Sequence, residues 1–257
     1  MRTQLLYDPL LLLERLGQSA TQRLRLRKIR KTPASALKKD HIDSLELLEL
    51  LRPLSPRVIY DIGANIGTWT LLAKSVYPDA VIHGFEPLSG HLEKFQSATA
   101  KLNGVTMHRL CLGSEPSEAK LRVTSFSDAS SLLPLSHEGK KQWNLQETRH
   151  ETVRVERLDS WIAKKNLPPA DLLKLDVQGF ELEVLKGAEA CLQNAKAVLT
   201  EVSFREFYES QCLFHEVVAF MAQRGFWLSS IGHGPVPGHP LLQSDALFVK
   251  KDLCGSL

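Results

Sequence analysis

At 257 residues the chain can bury a full-sized core, and its length fits one large α/β domain with a short appendage better than two comparable domains. A formal net charge of +3 excludes a polycation, so any affinity for nucleic acid or an acidic surface would have to come from a local patch. The four cysteines, Cys111, Cys191, Cys212 and Cys254, form no CxxC pair and give neither a zinc site nor a disulfide framework, and no histidine-rich cluster suggests another metal.

Near the start, Leu5-Leu6 and Leu10 to Leu13 are interrupted by Asp8 and Pro9, with no convincing small-residue cleavage site after them, so they are not read as a secretion signal. No apolar run approaches the roughly 20 residues that cross a bilayer. The expected location is therefore the cytoplasm, at most peripheral to a membrane.

The first fifty or so residues are rich in Leu, Arg and Lys and read as helices. One helix is predicted from Asp8 as N-cap with Pro9 at its first position, another from near Asp43, where Glu46 makes a capping-box-like pair ahead of Leu47, Leu48, Leu50 and Leu51. Between them Arg23, Arg25, Arg27, Lys28, Arg30, Lys31, Lys38 and Lys39 form a dense cationic stretch. It suits a solvated helix face, an anionic lipid surface, or an anionic substrate or RNA. The expected division is a helical, basic extension over 1–56 and an α/β domain over 57–257.

From Val58 onward short apolar runs alternate with helical patterns, the mark of βαβ units and a doubly wound, mostly parallel sheet. Seven strands are predicted, at Val58–Asp61, Val81–Glu86, Val105–Cys111, Leu172–Asp176, Ala197–Val202, Phe226–Ser230 and Ala246–Lys250. Helices are predicted at Thr68–Val76, Gly90–Leu102, Leu158–Lys165, Glu181–Lys186 and Leu213–Arg224, the last closed by Gly225. Gly113–Arg157 is too long for a simple crossover. Within it Lys120–Thr124 and Thr152–Arg157 read as an inserted hairpin or edge pair flanking a polar loop, and insertions of this length often cover sites.

The most informative stretch is Val58-Ile-Tyr-Asp-Ile-Gly-Ala-Asn-Ile-Gly67-Thr-Trp-Thr, a buried strand running into a glycine-containing turn and then a helix. Gly63 and Gly67 let the backbone approach a ligand, and the helix start offers N–H groups to a carboxylate. Glu86 ends the next strand, where doubly wound folds place an acidic side chain on ribose hydroxyls. Asn65 stands where a dinucleotide site would need its second glycine, which argues against NAD. A phosphate-free nucleoside with a carboxylate and an ammonium suits the loop better, with Asp61 as the charge for the ammonium. S-adenosylmethionine is such a ligand.

With those features, the runs Asp61 to Thr70, Glu86-Pro87, Ala129-Ser-Ser-Leu132, Arg157-Leu-Asp-Ser-Trp161, Leu172-Leu-Lys-Leu-Asp-Val-Gln-Gly-Phe-Glu-Leu-Glu-Val-Leu-Lys-Gly-Ala-Glu189 and Glu201-Val-Ser203 resemble the FkbM-type methyltransferases. These are a branch of the Rossmann-like S-adenosylmethionine-dependent enzymes. The resemblance extends from Phe214 to Gly225 and covers roughly the whole chain after Val58. It implies O-methylation of a hydroxyl on a sugar, glycolipid or secondary metabolite. The donor's carboxylate end would lie near Gly63 to Gly67, with Ala64, Asn65 and Thr68, and its ribose on Glu86 beside Pro87. Where many relatives carry Glu, this chain has Gln178, which removes one carboxylate from the site.

Methyl transfer from a sulfonium is an in-line displacement, so the protein must align the acceptor oxygen and supply a base for its proton. Residues two apart on a strand share a face, which puts Lys174 and Asp176 together. Asp176 is the expected base or hydroxyl orienter, Lys174 and Glu201 an ion-paired support, and Glu181 a rim residue for the substrate. The same three groups could instead form a purely structural network. His215 could line the acceptor pocket, and Ser130 and Ser131 could bond the adenine or cover the site. Trp69, Phe85 and Trp143 read as core or lid packing.

Two rival functions remain. One is a nucleic-acid methyltransferase using the basic arm, against which Asp-Val-Gln-Gly stands where an Asn/Asp-Pro-Pro-Tyr-type motif would be. The other is a non-catalytic nucleoside-binding module. The sequence sets no oligomeric state.

Overall fold

The computed structural model describes residues 17, 20, 24, 27, 30–35, 42–232 and 240–257. The helix predicted from Asp8 lies outside these residues, as does most of the basic stretch, of which Arg27, Arg30 and Lys31 are described. Among the described residues no helix is long and apolar enough to cross a membrane.

In chain order the elements are α1 (Ile42–Leu50), β1 (Val58–Ile62), α2 (Thr68–Val76), β2 (Val81–Phe85), α3 (Ser89–Thr99), β3 (Val105–His108), β4 (Cys111–Leu112), β5 (Ser117–Thr124), α4 (His137–Trp143) and β6 (Glu147–Glu156). They continue with α5 (Leu158–Lys165), β7 (Leu172–Leu175), α6 (Glu181–Lys186), α7 (Glu189–Asn194), β8 (Ala197–Ser203), α8 (Phe214–Gln223), β9 (Phe226–Ile231) and β10 (Gln243–Lys250). The seven-stranded sheet runs β3-β2-β1-β7-β8-β10-β9. Its first five strands pair in parallel, and β10 lies antiparallel between β8 and β9. This is the mostly parallel, doubly wound sheet that the alternating pattern predicts.

Burial on both faces explains why its strands read as unbroken apolar runs. On β7, Leu173 and Leu175 join the core that contains Tyr60, Ile62, Phe85 and Val198, whereas Leu172 joins the core on the other face with Ile59, Leu199 and Leu247. The second core is closed by α1. Leu45, Leu47, Leu48 and Leu51 pack there against Trp69, Leu72 and Val76, and the Tyr77 hydroxyl donates to the Leu48 carbonyl. The helix expected within the N-terminal extension is thus bound into the sheet's own core.

One predicted strand divides. Val105–Cys111 reads as a single run, yet the Leu110 N–H turns back onto the His108 carbonyl at 3.1 Å. That turn leaves β3 in the main sheet and sends β4 into a separate three-stranded sheet, β4-β6-β5. There β5 and β6 pair antiparallel from Ser117↔Val155 to Thr124↔Glu147, longer than the apolar patterning alone marks. The inserted edge pair is therefore a small sheet of its own, and its loop carries α4.

Leu48 is wholly buried, and its removal would open a cavity between α1 and the sheet. Leu48→Ala should cost about 2–5 kcal/mol. Chemical denaturation followed by circular dichroism measures this, and because α1 shares the sheet's core the loss should appear in one transition with the sheet.

Candidate functional site

The β1–α2 loop is folded by its own backbone. Gly63 N–H and Ala64 N–H both donate to the Phe85 carbonyl, at 2.9 and 3.0 Å, which ties the loop to the end of β2. Gly63 takes a φ of +79°, and a Cβ there would lie 1.9 Å from the Asp176 carbonyl oxygen. Only glycine permits this contact between the loops that follow β1 and β7. Asn65 (φ 48°) is also left-handed, and it turns its N–H onto Glu86 Oε2 at 3.0 Å.

Glu86 Oε1 accepts from Leu88 N–H at 2.9 Å and lies 3.4 Å from His91 Nδ1. Both carboxylate oxygens are thereby aimed by the backbone, and each retains a further lone-pair direction for a ligand hydroxyl. The sequence-predicted loop and glutamate therefore do meet, with Gly63, Ala64, Asn65, Thr68, Glu86 and Pro87 on the wall of one cavity of about 710 Å³. Gly67 supplies the turn at φ 89°, and its N–H closes on the Ala64 carbonyl at 2.8 Å.

Asp61 is placed differently from the expectation that it faces an ammonium. It has no exposed surface and stands behind the cavity wall, where Oδ2 accepts the Thr70 hydroxyl at 2.6 Å and Oδ1 lies 3.5 Å from Lys174 Nζ. The reason is register. Asp61 sits opposite Lys174 on the neighbouring strand, so two buried charges pair inside the sheet's edge.

Lys174 Nζ also lies 3.5 Å from Asp176 Oδ2 and 3.3 Å from the Gly63 carbonyl, with Trp69's ring 5.9 Å below it. Burial by itself draws this lysine's titration down. Asp176 and Asp61, with Asp245 beyond them, outweigh burial and hold its titration above the ordinary lysine range.

The expected Lys174–Glu201 ion pair is not formed. Glu201 Oε2 accepts instead from Gln178 Nε2 at 3.2 Å and Gln243 Nε2 at 3.1 Å. Burial and the neighbouring carboxylates of Asp176, Glu181 and Asp245 push its titration well up. Gln178 is the hub of this group. Its Nε2 also donates to Asp176 Oδ1 at 2.6 Å, and its Oε1 accepts the Tyr208 hydroxyl at 2.9 Å. An amide at this position satisfies two carboxylates that a third carboxylate would repel.

Two further expectations are corrected. Glu181 is not on the rim but 3 % exposed, its Oε1 accepting from Val177 N–H at 3.0 Å and Gly179 N–H at 3.2 Å, so it fastens the loop before α6. His215 is exposed on α8 and takes no part in the cavity wall, because the first turn of that helix points it to solvent. Ser131 lines the cavity as expected. Its hydroxyl, however, donates to the Gln178 carbonyl at 2.7 Å and accepts from Leu133 N–H at 3.0 Å, which clips the inserted segment over the β7 loop. Trp69, Phe85 and Trp143 all reach the wall.

Sequence reasoning did not mark Ser44, His91, Tyr208, Gln243 or Asp245. Gln243-Ser-Asp245 lies at the head of β10, where a polar start to an apolar strand was the available signal. Ser44 and Tyr208 carried none. Among the described residues no group of three or more His, Cys, Asp or Glu side chains is placed to hold a metal ion.

A glycine loop tied to an acidic strand end, above the carboxyl edge of a parallel sheet, defines a nucleoside-binding α/β protein of the Rossmann-like class. Residues 61–228 match the model of the methyltransferase FkbM domain. The chain belongs to the FkbM methyltransferase family, for which the expected methyl donor is S-adenosylmethionine.

Its relatives include the 2-O-methyltransferase NoeI of Sinorhizobium fredii, 30% identical over 75% of this chain and 81% of that protein. Methyltransferase 1 of Beauveria bassiana is 33% identical over 51% of this chain and 58% of its own. The hexuronic acid methyltransferase AglP of Haloferax volcanii is 26% identical over 56% and 55%. The chain thus spans little more than half the length of the latter two.

The residues present fit that donor. Glu86 offers paired acceptors for ribose hydroxyls, the Gly63–Thr68 turn brings backbone to the wall, and the indole N–H of Trp69, a residue of the same wall, is buried without a hydrogen-bond partner.

Burial, with a smaller contribution from Asp176, pushes the Glu181 carboxyl up to about 7 despite its backbone hydrogen bonds. Its folded value thus exceeds the unfolded one, so the native state holds the extra proton between about pH 4.5 and 7. Stability from this group is full below that window and is lost as pH rises through 7. Glu181→Gln keeps an oxygen for both N–H donors. Relative to the parent, the variant should be about as stable at pH 5 and more stable at pH 8, by about 1–3 kcal/mol. Urea unfolding at the two pH values measures the difference.

Proposed function

We propose that this protein transfers the methyl group of S-adenosylmethionine to a hydroxyl oxygen of a sugar, glycolipid or secondary metabolite. Asp176 is its base or hydroxyl-orienting residue in this reading. The supporting observation is the position of Asp176. Its carboxylate stands on the cavity wall at the end of the central strand, partly exposed, and is gripped from behind by Lys174 Nζ at 3.5 Å and by Gln178 Nε2 at 2.6 Å. The name of one relative, a 2-O-methyltransferase, accords with transfer to oxygen.

Bound S-adenosylmethionine supplies a methyl carbon made electrophilic by its sulfonium. The protein's part is alignment and proton handling. Glu86, with the Asn65 and Leu88 N–H groups behind it, accepts from the ribose hydroxyls and fixes the donor along the wall. Asp176 accepts a hydrogen bond from the acceptor hydroxyl, points the oxygen's lone pair at the wall, and takes the proton as the oxygen is alkylated. Lys174 and Gln178 hold the carboxylate so that no rotation is needed at the moment of transfer. The inserted segment, clipped down through Ser131, excludes bulk water from this side.

The test is incorporation of label from methyl-labelled donor into small molecules of a deproteinised cell extract, with mass spectrometry of the product. Asp176→Asn should lower turnover by about 10²–10⁴-fold. Donor affinity by calorimetry should stay within about threefold of the parent, an allowance of under 1 kcal/mol. Unchanged turnover sinks the base assignment. Donor binding with no labelled product from any extract would favour a non-catalytic nucleoside-binding module. In the same calorimeter Glu86→Ala should weaken donor binding at least about tenfold, a loss of about 1.4 kcal/mol.

A further inference from the structure

The family match ends at residue 228 and begins at 61, yet the cavity continues past both limits. Ser44 on α1 and Gln243 and Asp245 on β10 complete its wall. Their position in the sheet separates them from the donor end. Glu86 follows β2 and Asp245 lies on β10, and β1, β7 and β8 stand between, so the two residues are four strand spacings apart, roughly 19 Å. A donor held by Glu86 after β2 and by the loop after β1 would have its reacting end toward Asp176 after β7. The wall beyond, at β8 and β10, is left for the other reactant.

That wall is built. Ser44 Oγ donates to Asp245 Oδ2 at 3.0 Å across 201 residues of sequence, and Gln243 Nε2 bridges Glu201 Oε2 and Ser203 Oγ at 3.1 and 3.2 Å. Asp245 is opposite Glu201 in the ladder. One oxygen of the Asp245 carboxylate is thus engaged by a neutral hydroxyl, and no hydrogen bond or ion pair from a lysine or arginine among the described residues reaches it.

The charge of the whole wall points the same way. Its carboxylates are Glu86, Asp128, Asp176 and Asp245, and Lys174 is the one lysine or arginine on it among the described residues. Lys174 already balances Asp61 and Asp176. The donor's sulfonium, ammonium and carboxylate add a net charge of +1, which leaves the filled cavity still negative. An acceptor carrying its own carboxylate, sulfate or phosphate would be desolvated there with no cation among the described residues to meet it beyond Lys174, and such a mismatch is strongly disfavoured. Hydroxyl groups, by contrast, donate to carboxylates and accept from an amide or a serine.

Resting on the methyl-transfer reading above, we propose that Ser44, Gln243 and Asp245 form the acceptor subsite. It takes a neutral polyhydroxyl compound, a sugar ring without an acidic group, and Asp245, oriented by Ser44, is the residue that turns acidic sugars away.

The experiment uses the full chain, methyl-labelled S-adenosylmethionine and two acceptor probes, methyl glucopyranoside and its uronate counterpart, methyl glucopyranosiduronate. The neutral glycoside should be methylated with kcat/KM at least tenfold above that of the uronate. Asp245→Asn should shrink that ratio at least threefold, and Ser44→Ala should shrink it in the same direction. Donor affinity by calorimetry should hold in both variants, which separates a lost subsite from a misfolded protein. A uronate used as well as the glucoside overturns the inference, as does a ratio unmoved by Asp245→Asn with donor binding intact. Transfer to neither glycoside, with donor bound, also overturns it, whereas the methyl-transfer reading falls only if the extract screen yields no labelled product either.

Discussion

Two loops from adjacent parallel strands touch at a point where no side chain can stand, with Gly63 pressed on the Asp176 carbonyl and Lys174 Nζ reaching the Gly63 carbonyl from beneath. Around this contact the ammonium of Lys174 gathers Asp61 and Asp176. A lysine buried among leucines would be costly without partners, and the two aspartates would repel without it. Each charge is retained because the others are there. The arrangement holds the loop after β7 against the loop after β1.

The inserted segment depends on the same loop from above. Ser131 bonds the Gln178 carbonyl, Tyr208 bonds the Gln178 side chain, and Gln178 in turn bonds Asp176 and Glu201. The inserted segment and the Asp176 carboxylate are therefore joined through one residue. Gln178 is held at a φ of 56°, a conformation that a side-chain-bearing residue adopts at a cost, and hydrogen bonds with four residues hold its carbonyl and amide in place. The pattern is one of mutual constraint, in which the loop's shape and the orientation of its polar groups are set together.

Much of this was legible from residue order. The short apolar runs at Val58, Leu172 and Ala197, alternating with helical patterns, read as strands of a mostly parallel sheet, and Gly63, Asn65 and Glu86 announced the nucleoside end because turn geometry and strand ends are local properties. What escaped was whatever depends on neighbours across the sheet. Asp61 and Lys174 are opposite each other only once β1 pairs with β7, so the partner of Lys174 could not be told from a list of nearby acids.

Glu181 looked like a rim residue because it opens a helix, yet backbone donors draw it inward. The break after His108 is a single tight turn inside an otherwise strand-like run. The polar head of β10 hid its pairing, since Gln243, Ser244 and Asp245 lack the alternation by which strands are recognised.

The hydrogen bond from Ser44 to Asp245 joins the first described helix to the final strand, which enters the sheet between two others and against their direction. A contact closing so long a loop carries a chain-entropy cost that the other pairs of the sheet offset. The far wall of the cavity thus depends on segments distant in sequence, so a disturbance of either would be felt there.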